Sequence, residues 1–249
     1  MYSFKGKKFI IFGGTGELMG NISLGLAEQG AQILIIGRDL KKAQQIQEQN
    51  IQKLIEFEQF NILEDNCQAL FEKIYSKYEY IDGIINGAGV NSGTPFLEIS
   101  DSEIMNIFEI NFNFVSKCCQ EYIQRTLQLK KPGRIINIGS VSGINPLSKV
   151  FMYSASKAAV HNLSKNLARE YGPMNINTNI LIPGFFPAEQ NKKILSSERV
   201  SQIISQTPLK RFGSPDELLG MVSLLFSYQG SFINGAELII DGGYSITKI

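Results

Sequence analysis

The chain has 249 residues, of which 43% are hydrophobic and 19% charged, values that suit one large α/β domain or two small ones. Its formal net charge is +1, and it has neither a long run of Lys or Arg nor a stretch of roughly 20 apolar residues, so we expect neither a nucleic-acid surface nor a membrane span. Three cysteines and one histidine offer no disulfide framework and no metal-ligand spacing, and no signal-peptide pattern begins the sequence, so we expect a cytoplasmic protein without a metal.

Short apolar runs alternate with longer helical patterns along the chain. The runs predict strands, and the segments with apolar residues at helical spacing predict helices. Strands are predicted at 8–13, 33–36, 53–60, 81–86, 134–138, 176–182 and 238–240, and helices at 17–29, 39–50, 66–77, 102–129, 148–171 and 215–227. This rhythm predicts right-handed βαβ crossovers and a parallel sheet in one domain that spans residues 1–249.

One segment, 183–208, interrupts the alternation and mixes polar with apolar residues. In an α/β sheet, such a segment after a strand end is where ligands are enclosed. We therefore predict a substrate lid at about 184–210.

A glycine-rich loop, GGTGELMG at 13–20, joins the first strand to the first helix. Glycines there let the backbone approach a pyrophosphate, and the helix N-terminus supplies free N–H groups. A tight turn without a ligand is the alternative, but the position after the first strand of a βαβ unit favours a dinucleotide site.

The residues after the second strand lie where a dinucleotide site contacts the adenosine ribose. Gly37 puts no acid at the strand end and Arg38 is cationic, which favours NADP(H) over NAD(H). Asp39 would reverse this preference if it reached the ribose. Alternatively, Arg38 and Asp39 simply begin a solvated helix, where Asp is a good cap.

Tyr153 and Lys157, in the segment YSASK, stand four residues apart and project from one face of a predicted helix. A nearby ammonium favours phenolate and so lowers the pKa of a phenol. The pair could then exchange a proton with an alcohol or carbonyl oxygen. Tyr-x-x-x-Lys alone is common on helix surfaces.

Further polar residues accompany this pair. Ser140 ends the fifth strand and could hold a substrate oxygen. Asn111 lies in an apolar helical segment and must find hydrogen-bond partners, unless it is a cap or faces solvent. The segment NGAG at 86–89 closes the fourth strand, where glycines would admit a cofactor ribose.

Together these motifs resemble the short-chain dehydrogenase/reductase family from the glycine loop to DGG at 241–243. The resemblance implies an α/β fold, a single-domain Rossmann-type doubly wound parallel sheet with strand order 3-2-1-4-5-6-7 and helices on both faces. It implies NAD(P)-dependent hydride transfer with a secondary alcohol or ketone in a homotetramer, with a dimer as the alternative. It assigns Tyr153 as general acid/base, Lys157 as partner of Tyr153 and of the nicotinamide ribose, Ser140 as orienter of the substrate oxygen and Asn111 as holder of a proton-relay water. The implied cofactor contacts are Gly13, Thr15, Gly16, Leu18, Arg38, Asn61, Ile62, Asn86, Gly87, Ala88, Tyr153, Lys157, Pro183, Gly184 and Phe186.

Within the family, PLSKV, PGFFPAEQN and TPLKRFGSPDELLG are similar to segments of the D-mannonate oxidoreductase / fructuronate reductase-like branch. This implies a sugar-acid substrate, whose carboxylate a cation should meet. The candidates, each otherwise a solvated surface charge, are Lys149, Lys192, Lys193, Arg199 and Arg211. The chain departs from the family pattern at four positions: Glu17 and Met19 replace glycines, Ala188 replaces a Thr, and Asn61 replaces an Asp.

Two other functions remain open. A 3-oxoacyl-carrier reductase uses the same scaffold, but the sequence lacks the strong basic patch that carrier binding favours. A non-catalytic dinucleotide-binding sensor or scaffold gains weight from the altered glycine loop. We interpret His161 as a structural histidine and Cys118 and Cys119 as packing residues.

Overall fold

The computed structural model describes residues 2–186 and 196–247, and seven strands of these residues form one parallel sheet. The strands are β1 (Lys8–Phe12), β2 (Gln32–Gly37), β3 (Ile55–Gln59), β4 (Gly83–Asn86), β5 (Gly133–Ile138), β6 (Ile176–Pro183) and β7 (Glu237–Ile240). Their order is β3-β2-β1-β4-β5-β6-β7, which confirms the predicted doubly wound sheet. The carboxyl ends of all these strands therefore lie at one edge of the sheet.

Helices cover both faces of the sheet. They are α1 (Glu17–Glu28), α2 (Leu40–Gln49), α3 (Cys67–Lys77), α4 (Asp101–Phe108), α5 (Phe114–Leu129), α6 (Phe151–Tyr171), α7 (Ser197–Gln206) and α8 (Asp216–Phe226). Buried side chains of α1 and α8 form one hydrophobic cluster with the sheet, and those of α3, α5 and α6 form a second. Among the described residues, no helix is both long enough and apolar enough to cross a bilayer.

Strand β1 shows why the sheet is buried on both sides. Phe9 and Ile11 belong to the first cluster, whereas Ile10 and Phe12 belong to the second. Successive strand residues point to opposite faces, so a continuous apolar run supplies both cores. The ring of Phe9 stacks on that of Phe226 of α8, with 4.1 Å between centroids.

Three predicted boundaries differ from the structure because of local backbone conformation. Strand β3 is shorter than 53–60, since Lys53 has a φ of +53°. Helix α6 begins at Phe151 rather than at 148, since Lys149 has a φ of +64°. The helix predicted at 102–129 contains a wide π-helical turn at Glu109–Asn113, which separates α4 from α5.

Helix α7 lies in the segment for which the sequence predicted only a lid. Its N-cap is Ser196, whose hydroxyl accepts a hydrogen bond from the Arg199 N–H at 3.2 Å. A serine before a helical pattern was the sequence signal for this helix. Residues 187–195 of the predicted lid lie outside the described residues.

Candidate active site

A cleft of about 450 Å³ opens at the carboxyl ends of the strands. Its walls come from the segments that follow β1, β2, β3, β4, β5 and β6. Among the predicted site residues it brings together Gly13, Thr15, Gly16, Leu18, Arg38, Asn61, Ile62, Gly87, Ala88, Ser140, Tyr153, Lys157, Pro183, Gly184 and Phe186. Asn86 and Asn111 do not line the cleft. Ligands of open α/β sheets bind at this edge of the fold.

The glycine loop forms a cradle that fits a dinucleotide. Gly13 has a φ of +73°, and a Cβ there would stand 2.8 Å from the backbone nitrogen of Ala88. Only glycine therefore lets the loop after β1 touch the loop after β4. Gly16 precedes α1 without a side-chain cap, so N–H groups of its first turn face the cleft as donors for a pyrophosphate.

Met19 stands at a family glycine position, and the structure explains how the loop accommodates it. Its side chain is buried, and a Cβ added at Gly87 would lie 2.6 Å from its Cγ. The lack of a side chain at Gly87 thus leaves space for the Met19 side chain, which a glycine at position 19 would not need. Glu17, the other departure, is exposed in the first turn of α1, where a carboxylate is favourable to the helix dipole.

The residues after β2 are organised by two contacts. Asp39 accepts a hydrogen bond from the Lys42 N–H at 3.0 Å and so caps α2. A Cβ at Gly37 would stand 2.5 Å from the Thr15 Oγ1, which leaves no room for an acid at this strand end. Arg38 and Lys42 both line the cleft. Sequence analysis missed Lys42, although its place one turn after Arg38 was a usable signal.

Lys157 is buried, with a relative exposure of 4%. Its Nζ donates a hydrogen bond to the Ile138 carbonyl at 2.9 Å. Burial lowers the pKa of Lys157 to about 8.

The prediction that Lys157 lowers the pKa of Tyr153 is wrong in this structure. Burial raises the pKa of Tyr153, and a hydrogen bond with the Ser140 side chain opposes this only in part. Because Lys157 Nζ lies 5.8 Å from the Tyr153 ring centroid and bonds to a carbonyl, desolvation outweighs its charge.

Three hydrogen bonds hold Ser140 through its hydroxyl and its backbone N–H. Its Oγ lies 3.0 Å from the Ser142 Oγ and accepts the Ser142 N–H at 3.2 Å. Its backbone N–H donates to the His161 Nε2 at 3.2 Å. The side chain also hydrogen-bonds to Tyr153, so Ser140 and Tyr153 present two hydroxyls at one point of the cleft.

Asn111 lies behind the cleft, in the π-helical turn, and is fully buried. Its Oδ1 accepts the Val90 N–H at 2.8 Å, and its Nδ2 donates to the Val90 carbonyl at 2.9 Å and to the Ser156 Oγ at 3.0 Å. The side chain therefore ties the loop after β4 to α6. The proton-relay water implied for Asn111 stays a prediction.

Asn86 also lies behind the cleft, and its predicted cofactor contact stays a prediction. Its Nδ2 donates to the Asn137 Oδ1 at 2.7 Å, and Asn137 donates to the Ser164 Oγ at 2.8 Å. These side chains form a buried polar layer between β4, β5 and α6. Asn86 faces this layer because successive strand residues point to opposite sides.

The predicted cations divide into two groups. Lys149, Arg199 and Arg211 are described, and none of them lines the cleft. Arg211 makes two hydrogen bonds to the Glu217 carboxylate, at 2.8 and 2.6 Å, which already neutralise it. The candidates Lys192 and Lys193, and also Ala188, lie outside the described residues. Within the described part of the chain, no cluster of three or more His, Cys, Asp or Glu could hold a metal ion.

The chain is similar to several known proteins along nearly its whole length. A family model described as enoyl-(acyl carrier protein) reductase matches residues 20–245. The chain is 30% identical to the 3-oxoacyl-[acyl-carrier-protein] reductase FabG of Aquifex aeolicus, over 96% of this chain and 97% of that protein. It is also 30% identical to the 5-keto-D-gluconate 5-reductase of Escherichia coli K12, over 98% and 97%. The crystal structure of a gluconate 5-dehydrogenase from Burkholderia cenocepacia in complex with NADP and tartrate superposes with a TM-score of 0.91 at 26% identity, over 99% of this chain and 98% of that one.

Proposed function

Because this chain belongs to the short-chain dehydrogenase/reductase family, we propose that it interconverts the ketone and the secondary alcohol of a sugar acid with NADP(H). The chain is an oxidoreductase that uses a nicotinamide cofactor. The observation that carries the proposal is the meeting of the Ser140 and Tyr153 hydroxyls, beside buried Lys157, in the cleft that holds the glycine loop.

The sugar-acid class rests on relatives whose names specify gluconate-type substrates. The narrower resemblance to the D-mannonate oxidoreductase / fructuronate reductase-like branch has no support among them. We therefore propose the class, a polyhydroxylated keto acid, without choosing one member.

In the reducing direction, the Ser140 and Tyr153 hydroxyls bind the ketone oxygen, and Tyr153 donates its proton as that oxygen becomes an alcohol. A nicotinamide held in the cleft would supply the hydride in this direction and accept it in the reverse one. Lys157 would hold the cofactor ribose, and its ammonium favours the phenolate that remains after proton transfer. A raised pKa suits Tyr153 to this step, because the phenol stays protonated at neutral pH until it transfers its proton to the substrate oxygen.

We favour NADP(H) over NAD(H) on the residues after β2. Arg38 and Lys42 bring two cations to the cleft wall, and Asp39 is occupied as the cap of α2. A 2′-phosphate binds well to such a cationic pair, and Gly37 offers no acid to repel it.

Initial rates with a panel of keto sugar acids, each with NADPH and NADH, test this function. We expect turnover of at least one keto acid, and faster turnover with NADPH than with NADH. The Tyr153→Phe variant should lose about 10²–10⁴ in kcat but still bind the cofactor, as measured by cofactor fluorescence. Cofactor binding without turnover of any ketone would instead favour the sensor hypothesis.

A 3-oxoacyl-carrier reductase is the second candidate, because FabG is such a reductase by name and the matching family model is also named for an enzyme of carrier-bound acyl groups. Comparing an acetoacetyl thioester on an acyl carrier with the keto acids separates the two. A higher kcat/KM for the carrier-bound thioester would reject the sugar-acid proposal.

We also propose a cytoplasmic homotetramer with a substrate lid at about 184–210. Large apolar side chains exposed on two faces support an assembly of copies. They include Leu97 and Met105 near α4, and Phe232 and Ile246 near β7, with exposures of 71% or more. A monomeric mass by light scattering would contradict the tetramer.

A further inference from the structure

His161 lies directly beneath the loop that carries Ser140. It follows Lys157 by one turn of α6, and its side chain is only 5% exposed. Its Nε2 accepts the Ser140 N–H at 3.2 Å. The imidazole is therefore the hydrogen-bond partner of the backbone of a residue that presents its hydroxyl to Tyr153.

Two glycines shape this loop around the imidazole ring. A Cβ at Gly139 would stand 2.9 Å from the His161 Cδ2, and one at Gly143 would stand 3.1 Å from its Cε1. Backbone thus packs against the ring at both carbons beside Nε2, where side chains at these positions would crowd it. The conformation of the segment 139–143 depends on the ring remaining in this place.

The other ring nitrogen is engaged by the last strand. His161 Nδ1 lies 3.3 Å from the Glu237 Oε1 of β7, which also accepts the Lys165 ammonium at 2.8 Å. A carboxylate only accepts hydrogen bonds, so Nδ1 carries the proton. Nε2 is then the unprotonated nitrogen, as the bond from Ser140 requires.

We propose that neutral His161 is a positioning residue, which fixes Ser140 toward Tyr153 by accepting the Ser140 N–H. The inference rests on the proposed function, in which Ser140 binds the ketone oxygen. An imidazolium has donors at both nitrogens and cannot accept this bond. Protonation of His161 therefore releases Ser140 and lowers the rate.

The charged groups that face the ring help to determine the pH at which His161 becomes protonated. Burial lowers the pKa of His161, Glu237 raises it, and the ammonium groups of Lys157 and Lys165 lower it. Glu237 belongs to β7, and both lysines belong to α6. Removing the carboxylate should make protonation harder and move the acid limb of the rate profile to lower pH.

The first test compares His161→Gln with His161→Leu in ketone reduction from about pH 5.5 to 8. Gln can place Oε1 near the Nε2 position and accept the same bond, whereas Leu fills a similar volume without an acceptor. We expect the Leu variant to lose about 10–100-fold in kcat with little change in NADPH binding. The Gln variant should stay within about fivefold of wild type and lose the acid limb, and Glu237→Gln should shift that limb downward.

A wild-type rate and pH profile in the Leu variant, or an unchanged acid limb in the Gln variant, would overturn the proposal. Thermal unfolding of each variant establishes that the fold is intact.

The second test does not depend on turnover. His161 is the single histidine of the chain, so ¹⁵N-histidine labelling gives one pair of imidazole signals. At neutral pH we expect Nδ1 protonated and Nε2 unprotonated, and the opposite tautomer refutes the inference. If wild type reduces no ketone but shows the expected tautomer, the proposed function fails and the hydrogen-bond assignment stands.

Discussion

Lys157 Nζ lies 5.8 Å from the centre of the Tyr153 ring and gives its hydrogen bond to the Ile138 carbonyl. The protein thus keeps a buried amine beside a phenol whose pKa is raised by burial. An amine in this position lowers stability, because desolvation disfavours its charged form. Its place is explained by the proposed chemistry, in which it holds the cofactor ribose and stabilises a phenolate.

Replacing Lys157 by Met should therefore separate activity from stability. We expect a loss of about 10²–10⁴ in kcat. The lowered pKa of Lys157, about 8, corresponds to a relief of about 3 kcal/mol when the charge is removed. The Ile138 carbonyl then lacks its partner, which costs about 1–3 kcal/mol. Urea unfolding should thus show a change below about 2 kcal/mol in the free energy of unfolding, and a loss above about 4 kcal/mol would contradict this balance.

The stability of the protein should fall on acidification partly through His161. Burial lowers the pKa of His161 in the folded state, so the unfolded chain takes up the proton first. Below about pH 6.5, where an unfolded histidine titrates, the unfolded state binds more protons and the free energy of unfolding decreases. The decrease ends once the pH is below the folded-state pKa. Urea unfolding from pH 7.5 to 5 should show a smaller decrease for His161→Gln than for wild type, and parallel curves would contradict this assignment.

The sequence predicted the fold well because its dominant signals are local and regular. Apolar runs such as 8–13 and the glycine loop that follows encode a βαβ unit without reference to distant residues. The start of strand β3 and that of helix α6 were predicted less accurately, because Lys53 and Lys149 adopt positive φ and a lysine gives no local sign of this conformation.

The sequence predicted most of the residues that form the site, but it did not predict their hydrogen-bond partners. Spacing alone brought Tyr153 and Lys157 to one helix face, yet it did not reveal that Lys157 bonds to Ile138. The sequence assigned Asn111 to a proton-relay water, and it did not reveal that tertiary contacts direct the Asn111 amide to the Val90 backbone. Side-chain direction between distant segments is set by packing, which a single sequence does not encode.

Met19 should be a packing residue that the altered glycine loop needs. Met19→Gly removes a buried side chain beside Gly87 and should lower the free energy of unfolding by about 2–5 kcal/mol. It should not tighten NADPH binding, although it restores the family glycine. Fluorescence titration and urea unfolding measure both effects. A variant that binds NADPH more tightly without loss of stability would show that Met19 obstructs the cofactor.

A matched pair tests the same contact from the other side. Gly87→Ala should destabilise the protein, because its Cβ would meet the Met19 side chain. Shortening that side chain by Met19→Ala should recover part of the loss, so the double variant should be more stable than the sum of the single effects predicts. Additive effects would mean that the two positions do not share this space.

The preference between NADPH and NADH should depend on Arg38, and Gly37→Asp alone should not reverse it. Arg38→Ala should weaken NADPH binding by about 10–100-fold and leave NADH binding nearly unchanged, because a charge-assisted hydrogen bond to a phosphate contributes about 1.5–3 kcal/mol. Initial rates with both cofactors measure the ratio. A ratio equal to that of wild type would reject the role of Arg38.

Gly37→Asp adds the ribose-binding acid typical of NAD sites, but it should fail alone. Its Cβ would stand 2.5 Å from the Thr15 Oγ1, so the loop after β1 must move and binding of both cofactors should weaken. Thr15→Ala removes that hydroxyl, and the double variant should then gain NADH binding relative to Gly37→Asp. Thr15→Ala by itself is the control and should change the NADPH to NADH ratio by less than about fivefold, since it introduces no acid. If Gly37→Asp alone binds NADH better than wild type does, the two side chains do not compete for this space, and the proposed preference for NADP(H) would rest on the cations alone.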